Sequence, residues 1–250
     1  MTYIINLSTT HDYSINETVA AFAQLCKEYS NGCLQCFPGF FQNWTNYKWV
    51  ELMYQWHYTS LIEPYKLGNI TTDEFLDNLS QIFYFMNDLD KEDRNSLLIG
   101  AWNASIRMSE KTQDRLAFIL QKAASEPVYL ISNTNELNMR EILNLFKKHY
   151  PDLKFNPDAD LSTRYSDEPI ELLPNVFVCL SYRFGAFKEE TVTTVSLLEN
   201  VVSRSMGPMT LVSQFPGDRA KAKEMELHSV LTADEFYESK DLELTVKKIQ

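Results

Sequence analysis

The stretch Pro127 to Asn135, PVYLISNTN, constrains the chain most. Pro127 to Ile131 is a short apolar run rich in β-branched and aromatic residues; the helical segment Thr112 to Ala124 precedes it and Ser132-Asn133-Thr134 closes it. A run of that length and composition reads as a buried parallel strand. The small polar residues then suit the mouth of a sheet and the N-cap of the next helix. Open α/β sheets bind ligands at the carboxyl ends of their strands, so the hydroxyl and N–H groups that follow Ile131 mark a candidate site.

Other runs repeat the pattern. Tyr3 to Leu7, Val176 to Ser181, Met209 to Val212 and His228 to Leu231 read as strands. Met139 to Lys148, Glu189 to Val202 and Asp218 to Glu226 read as helices between them, and Thr232 with Glu235 caps a last one. Strands alternating with helices predict an α/β protein with a doubly wound, Rossmann-type parallel sheet of about five strands. The first strand is separated from the rest by a purely helical region. Ser14 and Glu17 have capping-box spacing, with Ile15, Val19, Phe22, Leu25 and Cys26 at helical intervals up to Asn31-Gly32. A long aromatic helix ends near Pro64 to Gly68, Thr71 and Glu74 open another, and Glu92 to Met108 reads as a third leading back to the sheet. The expected organisation is a core of residues 1–13 and 107–250 with a helical insertion at 14–106.

The chain has 250 residues, 44% of them hydrophobic, enough for one sizeable core. A net charge of −11, spread along the chain, argues against nucleic acid as a partner. No apolar run approaches membrane-spanning length, and MTYIINLSTTHD lacks the basic flank and apolar core of a signal peptide, so no membrane insertion and a cytoplasmic location are expected. Cys33 and Cys36 form a lone C-x-x-C near Cys26 and His57; without a second paired motif it reads as structural or free thiols, with metal or redox chemistry as the other reading.

The insertion carries Trp44, Trp49 and Trp56, three of the four tryptophans, together with Tyr47, Tyr54 and Tyr58. Helical spacing puts Trp49, Met53 and Trp56 on one stripe and the tyrosines mostly on another. A small bundle cannot easily bury both, so one stripe is expected to be exposed and to dock a protein partner.

These stretches, with KLGNITTDEFLDNL and LIGAWNASI in the insertion, YRFGAFKEE after the third strand and TLVSQFPGDRAKAKEMELHSV after it, resemble the haloacid dehalogenase (HAD)-like superfamily. The likeness is to its phosphatases with a small helical cap and covers nearly the whole chain. It implies a HAD-like fold with the cap inserted after the first strand. Family enzymes carry two aspartates two residues apart after that strand, nucleophile then general acid/base, and acids after the fourth strand that help hold Mg²⁺. Here the first pair is Asn6 and Ser8, and the fourth-motif positions are Ser213 and Gln214. An amide cannot form the aspartyl phosphate, and a serine is a poor general acid at neutral pH. Every carboxylate the resemblance calls for is thus replaced. Asp12 lies too late to substitute and reads as a surface or capping residue, and Asp218 reads as an acid serving a helix N-terminus.

Ser132 and Lys188 keep the types of the second and third motifs, although Glu189 stands where a proline usually follows the lysine. Ser132, Asn133 and Lys188 are therefore a candidate anion site; the alternative is Lys188 turned outward or paired locally, with Ser132 capping a helix. The expectation is a catalytically inactive HAD-like protein with no cofactor or metal. It would serve as an interaction, scaffold or adaptor subunit of a larger assembly, for which a bacterial secretion adaptor complex is a natural setting. The alternatives are a metal-independent binder or sensor of a phosphorylated small molecule, and a residual phosphatase.

Overall fold

The computed structural model describes residues 1–29, 39–187 and 196–238, and for 39–45 the backbone only. In chain order, β1 (Thr2–Asn6) leads through a 3-10 turn at Leu7–Thr9 into β2 (Asp12–Tyr13). The helices α1 (Ile15–Tyr29), α2 (Gly39–Trp56), α3 (Glu63–Lys66), α4 (Thr72–Ile82) and α5 (Lys91–Asn103) follow, with a π-helical turn at Tyr58–Ile62 joining α2 to α3. Next come β3 (Ile106–Arg107), α6 (Glu110–Ala123), β4 (Val128–Ser132), α7 (Glu136–His149), β5 (Ile170–Leu173), β6 (Val176–Leu180) and α8 (Ser181–Phe184). The described chain continues with α9 (Leu197–Arg204), β7 (Met209–Val212), α10 (Pro216–Glu224) and β8 (Ser229–Leu231).

The main sheet has six strands in the order β5-β6-β4-β1-β7-β8. All pairs are parallel except β5 on β6, which is antiparallel with a register shift between Glu171 and Leu173. The five predicted strands are all present; β5 was missed because its short run sits among the turn residues of 151–169. Alternation sorts side chains between two faces. Ile5, Leu130 and Val178 pack with Leu116 and Ile119 of α6 and Met139, Ile142 and Phe146 of α7. Ile4, Ile131, Cys179 and Leu211 point the other way, onto Leu197, Leu198 and Val201 of α9 and Ala222 of α10. Both faces are covered, which is why the central strands read as nearly continuous apolar runs.

Three sequence expectations are corrected locally. The helix expected over Glu92 to Met108 ends at Asn103, because Ile106 and Arg107 pair antiparallel with Tyr13 and Asp12 in a two-stranded ribbon. The cap of α7 is Asn135, whose side chain accepts from Asn138 N at 3.0 Å; Ser132 remains the last residue of its strand. The helix expected over Glu189 to Val202 is described only from Leu197, where Ser196 and Glu199 form a capping box.

Residues 15–103 bury an apolar cluster of their own, including Phe22, Leu76, Leu79, Phe83, Met86 and Leu98. At its base Phe75 stacks on Tyr65 with centroids 4.1 Å apart and meets Trp102 edge-on at 4.7 Å. The polar tips of these rings face the sheet domain: Trp102 Nε1 donates to Asn135 Oδ1 (3.3 Å), and Tyr65 Oη accepts from Leu137 N (3.2 Å). The expectation that one whole aromatic stripe is exposed is not met. Trp49, Met53, Tyr47, Tyr54 and Tyr58 are half-buried, Trp49 lying edge-on against Phe83 and Tyr54 against Tyr58. Phe22 of α1 and Phe83 belong to the cluster against which these residues of α2 pack. Trp56 (65% exposed) and Leu52 (40%) stand out to solvent; the side chain of Trp44 lies outside the described residues. Among the described residues no helix is long and apolar enough to cross a membrane.

Candidate functional site

The carboxyl ends of β1, β4 and β7 meet where the strand order reverses, the usual ligand position in an open α/β sheet. Asn6 sits opposite Ile131 in the β1–β4 register, so Asn6 and Ser132 lie beside each other at the mouth, as expected. Ser213 follows β7 on the other side of β1.

Asn6 is buried and its amide is tied at both ends. Its Nδ2 donates to Asp218 Oδ2 at 2.9 Å and lies 3.4 Å from Ser213 Oγ; its Oδ1 accepts from Ser8 N (3.0 Å) and Ser8 Oγ (2.7 Å). Ser213 Oγ donates to Asp218 Oδ2 at 2.6 Å and accepts from Phe215 N at 3.1 Å. Gln214 Nε2 donates to Ser8 Oγ at 2.8 Å. Asn6, Ser8, Ser213 and Gln214 therefore form one hydrogen-bonded network around Asp218, which is 2% exposed. A buried carboxylate needs such donors, and these two supply them.

Asp218 corrects the expectation that the site holds no carboxylate. It does lie in the first turn of α10, but the turn folds back so that its Oδ2 reaches β1. The signal was available in its spacing, five residues after Ser213, which a loop and one helical turn bring alongside. Asp12 is exposed and accepts from Ser109 N (3.0 Å), the structural role expected of it.

A cavity of about 210 Å³ opens above this network. It is lined by Asn6 and Ser8 from the first strand and its turn, by Ser132, Asn133 and Thr134 after β4, by Asn138 and Ile142 of α7, and by Phe215. His11, Tyr13 and Ile106 of the ribbon and Lys66 of α3 complete it. Asn133 and Ser132 are thus together at the mouth. Lys188 lies outside the described residues, as do Cys33 and Cys36. Cys26 is buried in the helical cluster, where burial pushes its thiol up to about 12 and makes it a poor nucleophile. Lys66 and His11 were not anticipated; Lys66 is remote in sequence from the motifs, and His11, although only three residues after Ser8, belongs to no motif pattern.

The resemblance to the HAD-like superfamily implies Mg²⁺, and the donor set can be tested for it. Mg²⁺ takes hard oxygens, usually with one or two carboxylates, because neutral amides and hydroxyls repay its dehydration poorly. Here Asn6, Ser8, Ser213 and Gln214 are neutral, and Oδ2 of Asp218, the carboxylate among the described residues of the network, is already shared by two donors. Among the described residues no group of three or more His, Cys, Asp or Glu side chains is arranged to hold a metal. The residues do not fit the ion.

No protein-family model matches the sequence, and no curated protein does either. Solved structures do. The chain is similar to a crystal structure of a HAD family enzyme from Bacteroides thetaiotaomicron, with a TM-score of 0.58 at 15% identity, covering 91% of this chain and 90% of that one. Crystal structures of the wild-type enzyme and of a point mutant of it, each in complex with magnesium and inorganic phosphate, give TM-scores of 0.52 and 0.54 at 14% identity, with 91% of each chain covered. At this identity the likeness speaks to architecture, and the architecture of the chain is HAD-like.

Proposed function

We propose that the chain is a catalytically inactive HAD-like protein whose fold is kept for binding. The carrying observation is the Asn6 amide, held by Asp218 on one side and Ser8 on the other where a HAD enzyme needs a free aspartate nucleophile. In this reading residues 14–106 are a helical cap on a core of 1–13 and 107–250, and the ribbon of Tyr13 with Ile106 is the hinge-like boundary between them. Its role is that of an interaction or adaptor subunit in a larger cytoplasmic assembly, a secretion adaptor complex being one setting. Leu52 and Trp56, one turn apart on α2 and both exposed, support a protein-docking cap, since an isolated monomer gains little from presenting a tryptophan to water.

A second reading is favoured by the cavity itself. The neutral polar side chains of Ser8, Asn133 and Asn138 in its lining, with Ser132 beside Asn133 at the mouth, support a metal-independent binder of a small anion.

Turnover of generic and sugar phosphates by purified protein, with and without Mg²⁺, tests the inactivity. No Mg²⁺-dependent hydrolysis above that of an Asn6→Ala control is expected. Hydrolysis that requires Mg²⁺ and disappears in the control overturns it. Co-purification from the native source with mass spectrometry tests the assembly role.

A further inference from the structure

The helical segment leaves and rejoins the sheet domain at one place. Tyr13 pairs with Ile106 in the ribbon and Ser14 N donates to Ser105 O at 3.3 Å, so the two connections run side by side. A body carried on such a paired strap can swing about it unless other contacts hold it. Here two further sets of contacts hold it.

The first set meets the start of α7. Trp102 Nε1 donates to Asn135 Oδ1 at 3.3 Å, and Asn138 Nδ2 donates to Asn103 Oδ1 at 3.0 Å. Leu137 N donates to Tyr65 Oη at 3.2 Å, the hydroxyls of Tyr65 and Thr72 are 3.0 Å apart, and Thr72 Oγ1 donates to Glu136 Oε2 at 2.6 Å. An ionised carboxylate only accepts, so the Thr72 proton points to Glu136 and Tyr65 is the donor to Thr72. The chain of bonds leaves α7 at Leu137, passes through both hydroxyls of the helical segment and returns to α7 at Glu136, each bond polarising the next. Burial pushes the Tyr65 phenol above its usual range, so it keeps the proton that closes the chain. The second set meets α8 and the loop before β5: Ser181 Oγ donates to Lys66 O at 2.7 Å while accepting from Thr134 N at 3.0 Å, and Arg164 Nη1 donates to Gly68 O at 2.9 Å.

Asn135, Leu137, Tyr65, Trp102 and Ser181 are all buried. Swinging the segment away separates these pairs together, so the bonds protect one another and partial opening gains nothing. We propose that the helical segment is latched on the sheet domain by these bonds, a fixed wall of the cavity and not a lid that opens and closes. Molecules then reach the cavity through the gap that the closed arrangement leaves, and α2 and the sheet domain meet a partner as one pre-organised body. The latch goes beyond the binding reading and stands whether or not the cavity takes a ligand.

Leu137 supplies the reporter. It is the second residue of α7, where a backbone N–H has no acceptor within the helix, so its protection comes from Tyr65 across the junction. The test is hydrogen exchange of the full chain followed by NMR, read at Leu137 N–H and Trp102 Nε1–H and compared with Ile5 and Leu130 N–H in the sheet. With intrinsic rates taken into account, both reporters should exchange within about tenfold of the sheet amides and accelerate as steeply with urea, because only global unfolding exposes them. Reporters that exchange more than about a hundredfold faster than the sheet amides, with little urea dependence, show a segment that swings open in the native state and overturn the latch. Thr72→Val with Ser181→Ala removes one bond from each set and leaves both reporters in place. In that variant the reporters should exchange at least about tenfold faster than the sheet amides of the same protein, as a sub-global opening becomes accessible. Reporters that still keep pace with the sheet in a folded variant overturn the assignment of the latch to these hydrogen bonds; if the variant does not fold, the wild-type comparison decides alone.

Discussion

Asn6 Nδ2 donates to Asp218 Oδ2 at 2.9 Å across the mouth of the sheet, so the last residue of β1 is a donor to the acid of α10. An aspartate at position 6 would turn that contact into two carboxylates within hydrogen-bond distance. Like charges so close cannot both stay ionised without a counter-charge. Asn6→Asp should therefore melt below wild type at neutral pH and regain stability on adding Mg²⁺, whereas wild type should not respond to Mg²⁺. Asp218→Ala leaves the amide of Asn6 and the hydroxyl of Ser213 buried without their acceptor, at about 1–3 kcal/mol each. Thermal melts of the three proteins with and without Mg²⁺ check both; a wild type stabilised by Mg²⁺ would contradict the donor-set argument.

His11 makes stability pH-dependent. Burial lowers its pKa to about 4, against the opposing pull of the Leu7 carbonyl and the Asp12 charge. The unfolded chain, with an ordinary histidine near 6.5, binds the proton first as pH falls. Stability is thus present above about 6.5 and is lost progressively towards about 4, by roughly 3 kcal/mol in all at 1.36 kcal/mol per pKa unit. His11→Gln, neutral throughout, should flatten this part of the profile in urea melts at pH 7, 6 and 5. An unchanged slope in the variant would assign the acid sensitivity to other groups.

Gly68 marks where the helical segment touches the sheet domain. Its φ of +73° is left-handed, and a Cβ there would lie 1.9 Å from Tyr182 O, a backbone atom that cannot rotate away. Its own carbonyl accepts from Arg164 at 2.9 Å. Gly68→Ala carries about 1–2 kcal/mol of backbone strain and must in addition push α3 off α8. A large drop in melting temperature is expected, with faster proteolysis in the 63–72 region than in wild type. A variant that melts like wild type would mean that this contact is not maintained in solution.

What the sequence disclosed follows from where physics is local. Strands buried on both faces write themselves as apolar runs, so Tyr3 to Leu7 and Pro127 to Ile131 were legible, as was the capping box at Thr71. Asn6, Ser8, Ser213 and Gln214 could be picked out one at a time, and the structure joins them in one network. The carboxylate at its centre was read as a helix-end acid because its partner is 212 residues away in sequence. Lys66 and His11 were not read because a cavity wall is made by tertiary contact, and neither residue belongs to a periodic pattern. The half-burial of Trp49 on α2 goes with its edge-on contact to Phe83, which in turn stacks on Phe22 with centroids 4.7 Å apart, a packing choice that helical spacing does not determine.

The exposed pair on α2 gives the remaining prediction. Leu52 and Trp56 are four residues apart and so share a helix face, while Trp49 and Tyr54 turn towards the cluster beneath. Truncating the outer pair removes little from the core, so Leu52→Ser with Trp56→Ser should change stability by no more than about 1 kcal/mol. If that face docks a protein, the same change removes a tryptophan anchor, commonly worth about 2 kcal/mol or more at an interface centre. Capture of the native partner, measured by co-purification at matched expression, should then fall at least tenfold while the melting temperature stays close to wild type. Trp49→Ala is the contrasting variant: it takes away an edge-on contact with Phe83 and should lower stability without a selective loss of capture. Undiminished capture by the double variant would move the interface away from α2, and the acidic surface of the sheet domain, on a chain of net charge −11, would become the surface to mutate next.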